Sequence, residues 1–234
     1  MKRKLLGSLA IFCSVITFSA CTKEETTTEG KINYQMEPTN LTASVGTTVS
    51  ESGLVVNTNA NSSLTWKAGR VIVHELDFEA KKDDREIEYK LTKPATVDLF
   101  KLSQEFGSIT IPAGTYKEIK FELVLKKQTT ANVFSISGIY KDETGKETNV
   151  EFLFNEDVNI KLEAENLTIS SSEAYTGLLK LQLNKLVSQI NSADLKSVDR
   201  NANGTIVISS TKNAILYNKI KAGFISFIKA EFKH

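Results

Sequence analysis

The clearest pattern of metal-ligand type lies near the C-terminus, where residues 199–206 read Asp-Arg-Asn-Ala-Asn-Gly-Thr-Ile. Asp199, Asn201 and Asn203 place side-chain oxygens at alternate positions, and Gly204 follows where a calcium loop needs a sharp bend. Carboxylate and amide oxygens are the ligands that Ca²⁺ prefers in proteins. The spacing therefore matches the first half of a calcium-binding loop, and these three residues are the candidate metal ligands.

The second half of a calcium loop is missing from the same stretch. The position that needs a bidentate acid carries Ser210, and no acid follows before Glu231. Asp199 is then the only formal negative charge among the ligands, and Arg200 beside it opposes a cation. We therefore expect an Asx-rich turn with Gly204 in the left-handed region, with a weak calcium site as the alternative. No other cofactor is expected.

Chemistry that depends on a thiol or an imidazole has few residues to use in this chain. The sequence contains two Cys and two His. Cys13 lies in an N-terminal apolar run, Cys21 follows that run, His74 falls within a strand pattern, and His234 is the last residue. A catalytic triad, a thiolate nucleophile and a Cys/His zinc site are therefore not expected. An enzyme would have to use carboxylates, Lys, Tyr or Ser, and we expect a protein that is not an enzyme.

Aromatic side chains are the candidates for sugar binding, because a flat apolar face with a polar edge can stack on a sugar ring. They are Trp66, Tyr89, Tyr116, Tyr140 and Tyr175. The alternative is packing in the core, which the strand pattern predicts for Tyr89 and Tyr140. Tyr116 follows a Pro-Ala-Gly turn, which is typical of a structural corner.

Acidic residues that strand pairing could bring together are the candidates for carboxylate catalysis. They are Asp77, Glu79, Asp98, Glu118 and Glu122. The solvent face of a sheet carries the same pattern, so the sequence does not distinguish a catalytic pair from a solvated face. The formal net charge is +1, which gives no indication of a nucleic-acid partner.

The N-terminus has the pattern of an export signal. Three basic residues at positions 2–4 precede the apolar residues 5–18, a run too short for a typical membrane-spanning helix. Residues 18–21, Phe-Ser-Ala-Cys, then resemble a bacterial lipobox, in which a diacylglycerol is joined to the Cys and the chain is cut before it. We expect residues 1–20 to be a lipoprotein signal peptide and Cys21 to carry the lipid. An ordinary signal-peptidase site is the alternative.

A flexible polar tether is expected between this anchor and the fold, over residues 21–30. Lys23, Glu24 and Glu25 resemble the export signal of Bacteroidetes-type lipoproteins, which directs them to the outer face of the outer membrane. The alternative is a charged tether without such a signal. The expected location is the outer membrane, with a lipid anchor and exposure at the cell surface.

Strand patterns with a period of two fill residues 31–170. Apolar residues alternate with polar ones from Ile119 to Leu125, and again around Phe134 and Phe152. Turn residues rich in Pro, Gly and Asp separate these runs. Period-two strands at this spacing predict a mainly β domain, an antiparallel β-sandwich of the immunoglobulin-like kind.

The pattern changes in residues 171–234, which we predict to form a strand and helix region packed on the sandwich as a C-terminal helical appendage. The clearest helix begins near residues 211–213, and its apolar residues at helical spacing are Leu216, Ile220, Phe224, Phe227 and Ile228. Gly223 in its middle weakens the helix. Lysines flank the apolar face, so a second membrane contact is the alternative to packing on the sheets.

Three short motifs within residues 66–125 carry a resemblance to a family. Trp-Lys-Ala-Gly begins at Trp66, Asp-Leu-Phe at Asp98 and Pro-Ala-Gly-Thr-Tyr at Pro112. Their order resembles Bacteroidetes outer-membrane lipoproteins with a transthyretin-like or carbohydrate-binding-like β-sandwich domain. The resemblance implies a fold and a location, and it brings no established activity and no catalytic residues. Sugar binding inferred from it is an analogy of fold.

We therefore predict a surface-anchored lipoprotein that acts as a non-catalytic binding module for a glycan or for a host or matrix ligand. The alternative is a structural or adhesion-type envelope protein, which would show an exposed apolar patch or an open strand edge. A carboxylate-dependent hydrolase is the third hypothesis, and it would show a cleft with two acids and a perturbed pKa. The expected partners are the membrane through the lipid anchor, and a glycan or an envelope or host protein.

Overall fold

The computed structural model describes residues 28–46, 48–49, 55–56, 62–82, 85–92, 95–101 and 104–233. The signal peptide over residues 1–20, the lipidation site Cys21 and the export-signal residues Lys23, Glu24 and Glu25 lie outside this part of the chain. Lipidation and export therefore stay predictions. No helix within the described ranges is long and apolar enough to cross a membrane.

The protein is mainly β, with 59% strand and 10% helix, which confirms the class that the period-two patterns predict. The strands are β1 (Glu29–Thr39), β2 (Thr42–Ser44), β3 (Thr48–Val49), β4 (Val55–Val56), β5 (Ser63–Val73), β6 (Glu75–Lys82), β7 (Arg85–Leu91), β8 (Ala95–Asp98), β9 (Glu105–Pro112), β10 (Gly114–Leu125), β11 (Phe134–Lys141), β12 (Glu147–Phe154), β13 (Val158–Ile169), β14 (Ala174–Gln182), β15 (Ile206–Ile208) and β16 (Ile228–Lys233). The helices are α1 (Leu183–Leu186), α2 (Ser192–Lys196) and α3 (Ala214–Ala222).

Three sheets carry most of these strands. The first has the order β16-β14-β1-β9, and the second has the order β13-β10-β6-β7. The third has the order β15-β12-β11-β5-β2, and β8 also pairs with β5. Most neighbours are antiparallel, but β1 pairs with β14 and β12 pairs with β15 in parallel. Strands β3 and β4 form a separate short pair.

The first and second sheets pack against each other through apolar side chains. On β10, Ile119, Phe121 and Leu123 are buried and alternate with Glu118, Lys120 and Glu122, so the period of two gives this strand one apolar face and one charged face. Across the interface, the rings of Tyr34 on β1 and Phe121 have centroids 4.7 Å apart. The core between these sheets therefore follows directly from the alternation in the sequence.

The turn between β9 and β10 is held by a tyrosine, as the sequence predicts. The hydroxyl of Tyr116 donates a hydrogen bond to the carbonyl oxygen of Pro112 at 2.5 Å. Gly114 between them has φ +147°, a conformation that side chains rarely adopt. The ammonium of Lys82 donates to the carbonyl oxygen of Ala113 at 2.7 Å and connects the turn to β6. The turn is thus a structural corner rather than a ligand contact.

Replacing Tyr116 with Phe is expected to lower the free energy of unfolding by about 1–2 kcal/mol, because the carbonyl oxygen of Pro112 loses its donor. Tyr140 supplies a matched control. Its hydroxyl is buried and has no hydrogen-bond partner among the described residues, so Tyr140→Phe is expected to be neutral or stabilising. Urea unfolding measures the free energy of unfolding of both variants. Equal losses of stability would contradict a stabilising role for the hydrogen bond between Tyr116 and Pro112.

An aromatic cluster joins the third sheet to the C-terminal segment. Phe134 on β11 and Phe154 on β12 contact Phe224, with ring centroids 5.2 Å and 4.2 Å away. Phe227 lies 5.1 Å from Phe224 and is fully buried. Tyr217 on α3 also stacks on Phe154, with ring centroids 6.2 Å apart. We call these residues, with Phe152, the aromatic cluster.

The C-terminal helix is shorter than the sequence predicts. Helix α3 ends at Ala222, and the N–H of Gly223 closes it by donating to the carbonyl oxygen of Ile220 at 3.1 Å. Phe224 and Phe227 are buried, as the helical pattern predicts, but they lie in the turns after the helix. The chain then enters β16 at Ile228, where pairing with β14 satisfies the backbone that a longer helix would have used.

Residues 171–234 contribute to the sheets in addition to supplying the helices. Strand β14 lies between β1 and β16 in the first sheet, and β15 pairs with β12 in the third. The region that the sequence predicts as an appendage thus shares its core with residues 31–170. The reason is that the apolar faces of both parts are completed only when their strands pair.

Two acids connect the helices to each other and to the body of the protein. Asp194 completes a capping box with Asn191 at the start of α2, and it accepts hydrogen bonds from Lys219 on α3 at 2.7 and 2.8 Å. Glu156, in the loop after β12, accepts from Lys221 and from the hydroxyl of Tyr217. These two hydrogen bonds hold the pKa of Glu156 below its usual value.

Candidate functional site: a polar groove on the third sheet

The predicted calcium loop forms an Asx turn. The side-chain oxygen of Asn201 accepts the N–H groups of Asn203 and Thr205, both at 3.0 Å. Gly204 has φ +76°, so it occupies the left-handed region as expected. The N–H of Asp199 donates to the side-chain oxygen of Asn213 at 3.0 Å, which connects the loop to the start of α3.

The turn uses the oxygen that calcium would need from Asn201. The side chains of Asp199 and Asn203 are exposed and remain candidate ligands. Within the described ranges, no three His, Cys, Asp or Glu side chains are grouped so that they could hold a metal ion. The weak calcium site at Asp199, Asn201 and Asn203 stays a prediction, and the turn accounts for the conformation of the loop.

Four of the five candidate sugar-stacking residues are part of the core. Trp66, Tyr116, Tyr140 and Tyr175 are each exposed by 2% or less, and the indole N–H of Trp66 donates to the carbonyl oxygen of Leu183 at 3.3 Å. Tyr89 is 39% exposed, although the strand pattern predicts its burial. It lies on β7, an edge strand of the second sheet, where half of the side chain has no neighbouring strand to cover it.

The candidate carboxylates mostly meet on one surface. Asp77, Glu79, Glu118 and Glu122 all lie on the outer face of the second sheet, whereas Asp98 lies on β8 in the third sheet. Burial and the neighbouring Glu75 raise the pKa of the Asp77 carboxyl. Asp77, Glu79 and Glu122 also line a concavity of about 250 Å³. The cleft with two acids and a perturbed pKa that the hydrolase hypothesis requires is therefore present on this face.

The surroundings of these acids are those of a solvated ion-pair network. Strand pairing places Glu122 opposite Asp77 and next to Lys161, whose ammonium is 3.5 Å from the Glu122 carboxylate. Lys90 is 3.5 Å from Asp77 and also pairs with Glu75. Alternation of lysines and acids across the strands is typical of an exposed sheet face, where each pair contributes little to stability.

Acids outnumber lysines on this outer face of the second sheet, which we call the acidic face. Its acids are Glu75, Asp77, Glu79, Glu86, Glu88, Glu118, Glu122, Glu163 and Glu165. Its lysines are Lys81, Lys90, Lys120 and Lys161. The net charge of the chain is +1, so the remainder of the protein carries a positive excess that balances this face.

A concave surface with a volume of about 680 Å³ lies on the outer face of the third sheet. We call it the groove. It crosses β8, β5, β11 and β12, and the outward-facing residues that define it are Ala68, Arg70, Asp98, Ser135, Ser137 and Glu151. The segment after β8 adds Lys101 and Gln104 to its lining.

Small side chains on β11 make the groove concave. Ser135 and Ser137 point outward, and they alternate with Phe134 and Ile136, which are buried and face the core. Strand pairing places Ser135 between Arg70 and Leu153, and it places Ser137 between Ala68 and Glu151. The small side chains of β11, with Arg70 on one neighbouring strand and Leu153 and Glu151 on the other, produce a trough along the sheet.

A β-bulge sets which side chains of β5 enter the groove. Gly138 pairs with Trp66 and Ser137 pairs with Ala68, so Lys67 is left without an opposite residue on β11. Trp66 consequently faces the core while Ala68, two residues later, faces the groove. Gly138 permits the close approach, because a Cβ there would lie 2.4 Å from the carbonyl oxygen of Thr65.

The polar side chains of the groove are available to a ligand. The side chains of Arg70, Lys101 and Glu151 have no hydrogen bond or ion pair with any described residue. Asp98 is different, because its Oδ1 atom accepts the N–H of Phe100 at 3.0 Å. A concave surface with several unpaired charged and hydroxyl groups is the arrangement expected of a site for a polar ligand.

Comparisons of this chain with protein-family models, with curated proteins and with solved structures find no match. The family resemblance therefore stays a prediction. The functional argument rests on the groove and on the chemistry of its side chains.

Sequence reasoning did not single out Arg70, Ser135, Ser137 or Glu151. The available signal was weak. Ser135, Ser137 and Glu151 each lie between buried neighbours on a strand, as most outward-facing residues do, and Arg70 only precedes the buried Val71. What makes them a site is the pairing of β5, β11 and β12, together with the bulge at Lys67. Neither the strand pairing nor the bulge can be predicted from the sequence of a single strand.

Proposed function

We propose that this protein is a non-catalytic binding module of the cell envelope that holds a glycan in the groove. The observation that carries the proposal is the concavity of about 680 Å³ with the unpaired side chains of Arg70, Lys101 and Glu151. Sugars present closely spaced hydroxyl groups, which both donate and accept hydrogen bonds. Charged side chains and serine hydroxyls form such bonds well, and bonds to charged groups are the stronger ones.

The shape of the groove supports an extended ligand. It lies on the outer face of the sheet and is open to solvent, so a chain of sugar units can pass through it without a terminal residue having to enter a closed pocket. None of its described lining residues is aromatic. Binding would therefore depend on hydrogen bonds and charge, which favours contact with several sugar units at modest affinity for each.

The remaining parts of the proposal concern fold type and location. The facing first and second sheets support an antiparallel β-sandwich as the scaffold, with the third sheet presenting the groove. The lipid on Cys21 would hold the protein at the outer membrane, and Lys23, Glu24 and Glu25 would direct it to the cell surface. At that location, a glycan of the environment or of a host can reach the groove.

A glycan-array screen with the full chain in detergent micelles tests the proposal, with and without Ca²⁺. We expect saturable binding to one class of polysaccharide. Ser137→Leu would fill the groove and is expected to weaken binding at least about tenfold, because it excludes the ligand sterically. Ser108→Leu is the matched control, since Ser108 lies on β9 in the first sheet, outside the groove.

Two outcomes of the screen would contradict the proposal. If no polysaccharide on a broad array bound, the result would favour the structural or adhesion hypothesis, in which the protein works through protein contacts. Equal losses in Ser137→Leu and Ser108→Leu would place the binding site outside the groove. Dependence of binding on Ca²⁺ would instead support the predicted loop at Asp199, Asn201 and Asn203 as a second element of recognition.

A further inference from the structure

Arg70 lines the groove, and its guanidinium has no hydrogen-bond or ion-pair partner among the described residues. It points outward from β5, directly between Asp98 on β8 and Ser135 on β11. Its side chain is exposed and has no partner among the described residues. A guanidinium presents a planar fork of donors that matches the two oxygens of a carboxylate or of a sulfate. An anionic group is therefore the partner that this position fits best.

The acid opposite Arg70 in the sheet makes no ion pair with it. Asp98 lies opposite Arg70 in the register, yet its Oδ1 atom accepts the N–H of Phe100 and no ion pair with Arg70 forms. The N–H of Asp98 donates to the side-chain oxygen of Gln104, which holds the segment after β8 against the strand. Lys101 in that segment adds a second unpaired positive charge at the same end of the groove.

The other end of the groove has a different chemistry. Glu151 lies on β12, two strands from Arg70, which is about 10 Å across the sheet. A carboxylate accepts hydrogen bonds and does not donate, so it fits the hydroxyl groups of a sugar. Ser137 pairs with Glu151 and adds a hydroxyl beside it. The groove thus has a cationic end and an acceptor end.

The acidic face on the second sheet reinforces this selectivity. A polyanion is repelled by a surface on which acids outnumber lysines, and it is attracted by the unpaired Arg70 and Lys101. Because both forces are Coulombic, salt weakens them. The distribution of charge therefore directs an acidic polymer toward the groove and away from the acidic face.

We propose that the ligand of the groove is an acidic glycan, whose carboxylate or sulfate binds Arg70 and whose hydroxyls bind Glu151 and Ser137. This inference rests on the proposed function and specifies its substrate class. Arg70 supplies the bidentate contact and Lys101 supplies long-range attraction. Glu151 and Ser137, at the acceptor end, form hydrogen bonds with the neutral part of the polymer.

Binding of three polymers to the full chain in micelles tests this inference. The probes are dextran, which is neutral, polygalacturonate, which carries carboxylates, and dextran sulfate, which carries sulfates. We expect at least one acidic polymer to bind about tenfold or more tightly than dextran, with affinity that falls as salt is raised. The two acidic probes distinguish the carboxylate from the sulfate as the group recognised.

Variants at Arg70 separate a specific contact from general charge attraction. Arg70→Ala is expected to weaken binding of the acidic polymer about 10- to 100-fold, and Arg70→Lys to recover part of the loss because it keeps the charge without the fork. Lys161→Ala removes the same charge from the acidic face and is expected to change affinity by less than about twofold. Thermal unfolding of each variant checks that the exposed substitutions leave the fold intact.

The possible failures are distinguishable. Equal losses in Arg70→Ala and Lys161→Ala, or no loss in Arg70→Ala, would overturn the role of Arg70. Binding of dextran that is abolished by Ser137→Leu and unaffected by Arg70→Ala would retain the groove as a glycan site and overturn the acidic ligand. Failure of both acidic polymers to bind would also overturn the inference that the ligand is acidic. The glycan array would then test separately whether the groove binds any glycan.

Discussion

Replacing Phe224 with Ala is expected to lower the free energy of unfolding by about 3–5 kcal/mol. Phe224 is 2% exposed and is the centre of the aromatic cluster. Its ring stacks on Phe154 at 4.2 Å with an interplanar angle of 10° and meets Phe134 and Phe227 edge to face at 5.2 and 5.1 Å. The substitution removes these contacts together and leaves a cavity that rigid sheet residues on two strands cannot fill.

Urea unfolding followed by tryptophan fluorescence measures the loss, since Trp66 is the single tryptophan and is buried. Ile225→Ala is the neighbouring control. Ile225 is 61% exposed, so its truncation is expected to change stability by less than about 0.5 kcal/mol. A loss at Phe224 no larger than that at Ile225 would show that the segment after α3 does not pack on the third sheet in solution.

Replacing Gly138 with Ala is expected to lower the free energy of unfolding by about 1–3 kcal/mol or more, through overpacking at the bulge. The added Cβ would lie 2.4 Å from the carbonyl oxygen of Thr65 and 3.0 Å from the Cα atom of Trp66. Both are backbone atoms of β5, so relief requires β5 and β11 to separate. Because Ser137 is adjacent, we also expect the variant to disturb the groove and weaken ligand binding.

Gly223→Ala is the matched control for this substitution. Gly223 has an ordinary helical conformation at the end of α3, and a Cβ there would lie 3.7 Å from its nearest neighbour, the carbonyl oxygen of Ile220. We expect it to be neutral or slightly stabilising, since Ala is the better helix former. Thermal unfolding compares the two variants, and a Gly138→Ala protein as stable as Gly223→Ala would contradict the close approach of the strands.

The mainly β class was predictable because the signal is local. Alternation of buried and outward residues along β10 and β11 follows the pleat of one strand and needs no knowledge of its partners. The tyrosine corner was predictable for the same reason, since Pro112, Gly114 and Tyr116 lie within five positions of the chain. The parallel pairing of β1 with β14 has no such local signature, and the antiparallel expectation missed it.

The end of α3 shows how one pattern can fit two structures. Leu216, Ile220, Phe224 and Phe227 recur at helical spacing and all are buried, yet only the first two are in the helix. Gly223 permits the helix to stop, and pairing of the following residues with β14 makes stopping favourable. The glycine is visible in the sequence. The pairing with β14 is not, because it depends on tertiary structure.

The candidate site was less predictable than the fold. Trp66 and Tyr140 were candidates because of their residue type, and tertiary packing buries both. Arg70 was not a candidate, because a single outward-facing arginine on a strand carries no signal of its own. Its position beside Ser135 depends on the register of β5 and β11 and on the bulge at Lys67.

The parallel pairing of the first sheet also determines when the protein can fold. Strand β1 has β9 on one side and β14 on the other, and Thr39 donates a hydrogen bond to the carbonyl oxygen of Leu181, 142 residues later. Topologies dominated by such distant contacts fold slowly, in milliseconds to seconds, because closing the long loop precedes any gain from pairing. In a chain that emerges from a translocation pore with its N-terminus first, the apolar residues Ile32, Tyr34 and Met36 would therefore lack one neighbouring strand until β14, which ends at Gln182, had arrived.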